Sequence, residues 1–255
     1  MIESKGVFMK RNFKVDQLSR CIEDEFEIKP INFEMLPGTV CGILGENGAG
    51  KTTLIRMMMK LYRSTTGEVT FGGESAFHHE CAYLPEDFPY PQHMTIREIA
   101  QLEASIDKTW NTQRYKTYLE LFRLTEDSKI QTLSIGEKQR LMFCLNLSRQ
   151  VSCFILDEPA DGIDPFERET LVNILREYIY QHEASVIVST HNVKGIESML
   201  DYVLYLEQGS CVLFSDIEQF SEAALKVLTT RQLDSRAFEA NPTVANFVSI
   251  MQGGS

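Results

Sequence analysis

The chain has 255 residues, 43% of them apolar and 24% charged, with a formal net charge of −11. That length and apolar share suffice for the core of one large α/β unit, and the charged fraction is too low for a wholesale disordered chain. The acidic balance argues against nucleic acid as the partner, because a phosphate backbone demands a surplus of lysine and arginine.

Alternating apolar and polar residues at 13–18 and 31–35 predict half-buried strands. Pro37 and Gly38 mark a turn, and the apolar run 40–44 predicts a buried strand ending at Gly45. From Lys51 the apolar residues Leu54, Ile55, Met58 and Leu61 recur at helical spacing. Short strands are expected at 68–71 and 81–84. Residues 95–124 carry helical spacing interrupted at 107–111, and a further helix is expected at 135–147. There follow a buried strand at 153–156, a helix at 165–180, a strand at 185–189, a helix at 193–200, and strands at 202–206 and 211–214. The chain beyond 221 reads as polar and helical, with a flexible end at 253–255. Strands alternating with helices predict an α/β fold with a largely parallel central sheet, preceded by an antiparallel β part at the N-terminus. The expected organisation is a single domain over 1–255, with an inserted helical subdomain at 87–149 and a helical extension at 221–255.

The six cysteines, Cys21, Cys41, Cys81, Cys144, Cys153 and Cys211, form no Cys-x-x-Cys pair and mostly sit among apolar neighbours. That is the pattern of free thiols in a reducing cytosol. The five histidines show no metal-ligand spacing. No apolar run reaches the roughly 18 residues needed to span a bilayer, and residues 1–12 hold no apolar stretch of signal-peptide length. The expectation is a cytoplasmic protein, to which another chain must supply any membrane part.

Gly45, Glu46, Asn47, Gly48, Ala49, Gly50, Lys51, Thr52 and Thr53 fit the phosphate-loop pattern Gly-x-x-x-x-Gly-Lys-Thr, set between a strand and a helix. Its glycines let backbone N–H groups turn inward around phosphate oxygens, and the helix N-terminus favours the anion. Lys51 would reach the β- and γ-phosphates, and the Thr52 hydroxyl would ligate Mg²⁺. Phe154-Ile155-Leu156-Asp157-Glu158 describes a buried strand whose tip emerges as two carboxylates. Asp157 would hold Mg²⁺ through water, and Glu158 would polarise the attacking water.

Leu133-Ser134-Ile135-Gly136-Glu137-Lys138-Gln139-Arg140 resembles the Leu-Ser-Gly-Gly-Gln-x-Gln-Arg signature of ABC ATPases, and lies just upstream of the acidic strand as in that family. Pro159-Ala160-Asp161-Gly162-Ile163-Asp164 resembles its D-loop, Ser189-Thr190-His191 its switch-histidine segment, and Tyr83-Leu84-Pro85-Glu86 sits at the Q-loop position. The resemblance implies a P-loop NTPase fold, ATP and Mg²⁺ as ligands, and two such domains packed head to tail around two ATP molecules, as a homodimer or a heterodimer. It implies that Ser134, Gly136 and Glu137 meet the nucleotide of the opposite domain. His191 would contact the γ-phosphate, Asp164 would link the two sites, and Glu86 would ligate Mg²⁺. Ile135, Glu137 and Glu86 depart from the usual glycine, glutamine and glutamine. The family's adenine-stacking aromatic aligns with Ile22, leaving Phe26 or Phe13 as substitutes.

A kinase-like P-loop enzyme is excluded by the signature and His191. A soluble ABC ATPase of DNA repair or translation remains the alternative, but it predicts a coiled-coil insertion, two ATPase domains in one chain or a basic surface, all absent. The resemblance therefore implies the ATPase of a transporter, peripheral on the inner face of the cell membrane and bound to a polytopic membrane permease. The proline-rich stretch after Glu86 and the Gly-Glu-Lys-Gln-Arg ending of the signature are similar to bacterial exporters of drugs, antimicrobial peptides or polyketides. Residues 88–98, rich in proline and aromatics, offer a groove for the partner.

Overall fold

The computed structural model describes residues 11–22, 26–75, 78–159 and 164–253, excepting the side chains of Ile22, Phe26, His78, Phe166 and Glu167. Strand β1 (Phe13–Ile22) pairs antiparallel with β2 (Phe26–Met35) and with β4 (Thr66–Phe71), giving a three-stranded sheet in the order β2-β1-β4. A six-stranded sheet is ordered β5 (Cys81–Leu84), β6 (Cys153–Asp157), β7 (Ser185–Thr190), β3 (Val40–Leu44), β8 (Tyr202–Glu207), β9 (Ser210–Asp216). Its first five strands run parallel and only β9 is antiparallel. The largely parallel sheet and the N-terminal antiparallel part match the sequence expectation.

The helices are α1 (Lys51–Met58), α2 (Ile96–Ile106), α3 (Thr112–Leu121), α4 (Ile135–Leu147), α5 (Pro165–His182), α6 (Phe220–Thr230), α7 (Ser235–Ala240) and α8 (Val244–Met251). Side chains of the central strands alternate between two cores, as the pleat requires. Cys153 and Ile155 of β6 and Ile187 of β7 join α1 and the three-stranded sheet. Phe154, Leu156, Val186 and Val188 join the layer built from α2 to α8. Extending the alternation puts Asp157 and Ser189 on the α1 face.

Several expected boundaries shift, each for a local reason. The strand read as 13–18 continues to Ile22: a register irregularity between Val15 and Leu18, with Gln17 left-handed at φ 48°, breaks the alternation. The strand read from 31 begins at Phe26; Pro30 inside it is accommodated because β2 is an edge strand. Helix α1 stops at Met58 rather than reaching Leu61, since Lys60 turns left-handed at φ 52°. Residues 193–200 are not a helix; Gly195 at φ 93° breaks the chain there, and only one 3₁₀ turn, Glu197–Met199, forms. Most of the end expected to be flexible, 254–255, lies outside the described residues.

The C-terminal helices carry more core than their polar sequence suggests. Phe220, Phe238 and Phe247 are nearly or fully buried, and Phe247 packs edge-on against Phe220 at 5.6 Å and Tyr205 at 5.4 Å. The start of α8 is fixed by Glu197, whose Oε1 accepts the Val244 and Ala245 N–H groups at 2.7 and 3.3 Å. Among the described residues no helix is long and apolar enough to cross a membrane. Replacing Phe247 by alanine should destabilise the protein by about 3–5 kcal/mol. Denaturant unfolding followed through the single tryptophan, Trp110, should register the loss, because Trp110 packs against the same core. An unmoved Trp110 transition would mean that the C-terminal helices unfold independently.

Candidate active site

Strand order places the site. β7 lies between β3 and β6, so the carboxyl ends of these three neighbours meet at one edge, where open α/β sheets bind ligands. The register levels them: Leu44 pairs with Thr190, and Asp157 with Ser189.

The loop after β3 depends on glycine at two points. At Gly45, φ is 152° and an added Cβ would stand 2.2 Å from the Leu206 carbonyl oxygen. Gly50 is the N-cap of α1 in the left-handed region, φ 107°, and α1 begins with neither a side-chain cap nor an acidic residue in its first turn. Its first N–H groups are thereby left for an anion. Lys51 is 5% exposed; its Nζ donates to the carbonyls of Gly45 and Glu46 at 2.9 and 3.1 Å and pairs with Glu158 Oε1 at 3.2 Å.

The acidic pair sits opposite. Strict alternation would send the side chain after Asp157 into the far layer. Instead the backbone leaves the strand at Glu158, φ 48°. Its carboxylate joins Lys51 through Oε1 and lies 3.1 Å from His191 Nδ1 through Oε2. Asp157 is fully buried; its Oδ1 accepts from Ser189 Oγ at 2.6 Å and from Thr52 Oγ1 at 3.1 Å, while Oδ2 has no hydrogen-bond partner among the described residues. Burial pushes the Asp157 carboxyl above the ordinary carboxylate range, opposed by the Ser189 and Thr52 hydroxyls.

Asn47, Gly48 and residues 50–53 of the loop, with Glu86, Glu158 and His191, wall a common cleft of about 420 Å³. The sequence-derived Gly48, Gly50, Lys51, Thr52, Thr53, Glu86, Glu158 and His191 are thus brought together, with Asp157 buried behind Thr52. Ser134, Gly136 and Glu137 are not in that cleft. Ser134 caps α4 in a reciprocal capping box: it accepts from Glu137 N at 3.2 Å, while its own N–H and hydroxyl both donate to Glu137 Oε2 at 2.8 Å. These bonds hold the Glu137 carboxyl below the usual range. Ile135, 64% exposed, lines a neighbouring groove that shares Glu86 and Glu158 with the cleft.

Of the adenine candidates, Phe13 is fully buried, 6.3 Å from the rings of both Phe33 and Phe71, and offers no face to a base. The side chains of Ile22 and Phe26 lie outside the described residues, as do Ala160, Asp161, Gly162 and Ile163 of the D-loop. Asp164 is exposed at the start of α5. Sequence reasoning assigned no role to Ser189, although a polar residue at the tip of the otherwise apolar run 186–188 was a usable signal.

The residues fit a nucleotide carrying Mg²⁺. Lys51 faces Glu86, Glu158 and the adjoining Asp157, a balance that repels a bare polyphosphate and accepts one neutralised by a divalent cation. Mg²⁺ typically uses one or two carboxylates and keeps waters and phosphates as its other ligands. The Thr52 hydroxyl and the partnerless Asp157 Oδ2 suit that demand. Among the described residues no cluster of three or more His, Cys, Asp or Glu is placed to hold a metal by itself.

A carboxyl whose pKa rises on folding is penalised when ionised; the penalty is present at neutral pH and fades as pH falls through the folded value. Asp157→Asn should therefore raise the melting temperature of the nucleotide-free protein at pH 7, by a margin that shrinks on acidification, while Mg²⁺-dependent turnover collapses. Calorimetry across pH checks it; a lowered melting temperature at pH 7 would contradict the burial argument.

The sequence profile of the family described as ABC transporter matches residues 28–161. The uncharacterized ABC transporter ATP-binding protein MJ1023 of Methanocaldococcus jannaschii is 32% identical over 228 residues, covering 82% of this chain and 79% of that protein. The bacitracin transport ATP-binding protein BcrA of Bacillus licheniformis is 26% identical over 244 residues, covering 92% of this chain and 78% of BcrA. A solved ATP-binding subunit of an ABC transporter shares the fold with a TM-score of 0.74 at 22% identity, over 86% of this chain and 99% of that one. With a family match over more than half its length and a relative above 30% identity, the chain belongs to the ABC transporter family as an ATP-binding subunit.

Proposed function

We propose that this chain hydrolyses MgATP in the cleft between residues 45–53, Glu86, Glu158 and His191, and that turnover powers export through a separate membrane permease. The observation that carries the catalytic reading is the chain of contacts Lys51–Glu158–His191. The γ-phosphate takes over Lys51, whose ammonium then neutralises phosphate charge. Glu158, freed from that partner, keeps His191 and accepts the proton of the attacking water. His191 holds the carboxylate of Glu158 toward the phosphate. Thr52, Asp157 and Glu86 would hold Mg²⁺, whose charge would neutralise the phosphate oxygens.

A second domain completes the site, because Ser134 and Gly136 lie outside the cleft of their own chain. For the Ser134 hydroxyl to donate to a phosphate, its proton must turn away from Glu137. Residues 87–149 act as the helical subdomain that carries this signature, and 221–253 as an extension of the same domain. The permease reading rests on the relatives' names and on the groove lined by Pro85, Asp87, Phe88, Ile135, Lys138 and Met142, about 360 Å³, beside Glu86. The proline-rich stretch itself packs locally: Tyr90 stacks edge-on with Phe88 at 5.5 Å and donates to Glu103 at 2.7 Å. Export is favoured by the exporter-like sequence around 83–98.

Glu158→Gln should retain ATP binding and lower turnover by about 10²–10⁴-fold, with an ATP-bound dimer accumulating on a sizing column. Normal hydrolysis by that variant would remove Glu158 from the catalytic role. Purification of the tagged chain from detergent-solubilised membranes should bring down a polytopic membrane protein; ribosomes or nucleic acid in its place would favour a soluble ABC ATPase.

A further inference from the structure

We infer that Ser189 is a positioning residue that orients both carboxylates of the site through one hydroxyl. The inference rests on the roles proposed for Asp157 and Glu158. Ser189 is fully buried on β7, level with Asp157 on β6 and on the α1 face of the sheet. A buried hydroxyl on a core strand needs partners or it destabilises the fold, and among the described residues this one finds them in the acidic pair. Its O–H donates to Asp157 Oδ1 at 2.6 Å, and its oxygen accepts the Glu158 N–H at 3.1 Å.

The two contacts do different things. With Thr52 Oγ1 also donating at 3.1 Å, Oδ1 carries two hydroxyl donors and Oδ2 carries none. The carboxylate is thus fixed in rotation, and Oδ2 is the oxygen left for the metal's water shell. The second contact holds the turn. Glu158 adopts a left-handed backbone, φ 48°, which an L-residue enters at a cost. Among the described residues its N–H is held there by Ser189, through Oγ at 3.1 Å and through the backbone carbonyl at 3.2 Å. That turn is what points the Glu158 carboxylate at Lys51 and His191 instead of into the opposite core.

The test compares Ser189→Ala and Ser189→Thr in the full chain, with Mn²⁺ as the probe ion read by electron paramagnetic resonance in the presence of ATP. For Ser189→Ala, Mn²⁺ affinity should fall by about 10-fold or more, the range expected for groups that orient metal ligands. kcat should fall while KM for MgATP and metal-free ATP affinity change little. Ser189→Thr keeps the hydroxyl and should recover both Mn²⁺ binding and kcat. Wild-type Mn²⁺ affinity and kcat in Ser189→Ala would overturn the inference. So would a Ser189→Thr variant that melts normally yet is as impaired as alanine. If Ser189→Ala fails to fold, Ser189→Cys, close in volume but a weak donor, replaces it under the same readings. Asp157→Asn separates the two levels of argument: unaltered Mn²⁺ binding there refutes the metal site itself, whereas its loss alongside a normal Ser189→Ala refutes only the role of Ser189.

Discussion

Leu44 pairs with Thr190 and Asp157 with Ser189, and from this parallel register the rest of the site follows. Backbone hydrogen bonds alone bring the ends of β3, β7 and β6 level, before any side chain is considered. A slip of one residue would turn Asp157 from the α1 face, where Thr52 waits, into the apolar layer holding Phe154 and Leu156. β7 is the strand that makes the site composite. It touches the phosphate loop's strand on one side and the acidic strand on the other, so the residues at its tip bridge both.

The second organising feature is a buried ion pair. Lys51 and Glu158 are 5% and 8% exposed and meet at 3.2 Å. Buried charges are tolerated only when paired and hydrogen-bonded, and here each has further partners: carbonyls for the ammonium, His191 for the carboxylate. A phosphate group that takes over Lys51 must therefore offer it at least as much as Glu158 does. In the proposed mechanism Glu158 stays on Lys51 until the substrate displaces it, which would tie release of the base to arrival of the γ-phosphate.

Much of this was legible in the sequence because the signals were local. The apolar runs 40–44 and 153–156, the glycine-lysine loop and the helical spacing from Lys51 each depend on neighbours within a few residues. The long β1–β2 hairpin was partly hidden, since a bulge at Gln17 and a proline on an edge strand break the alternation that identifies strands. The segment 193–200 carried apolar spacing suited to a helix, yet a left-handed Gly195 reduces it to one turn. Phe13 was a candidate for adenine because sequence position cannot report burial; its ring closes the core beneath the three-stranded sheet. Ser189, named only as part of the segment Ser189-Thr190-His191, received no role for the reverse reason. Its importance lies in what stands across from it on a strand 32 residues away in sequence, and no local pattern contains that.

The left-handed turn at Glu158 sets two local demands against each other. Glycine would occupy that backbone without steric penalty, whereas a branched or charged side chain holds roughly 1 kcal/mol or more of conformational energy there. The backbone alone would favour glycine or asparagine at this position, but either would leave the buried Lys51 ammonium without its carboxylate partner at 3.2 Å. Backbone strain and the demand of the buried ammonium therefore pull in opposite directions at one residue, so relieving the strain does not by itself make the fold more stable.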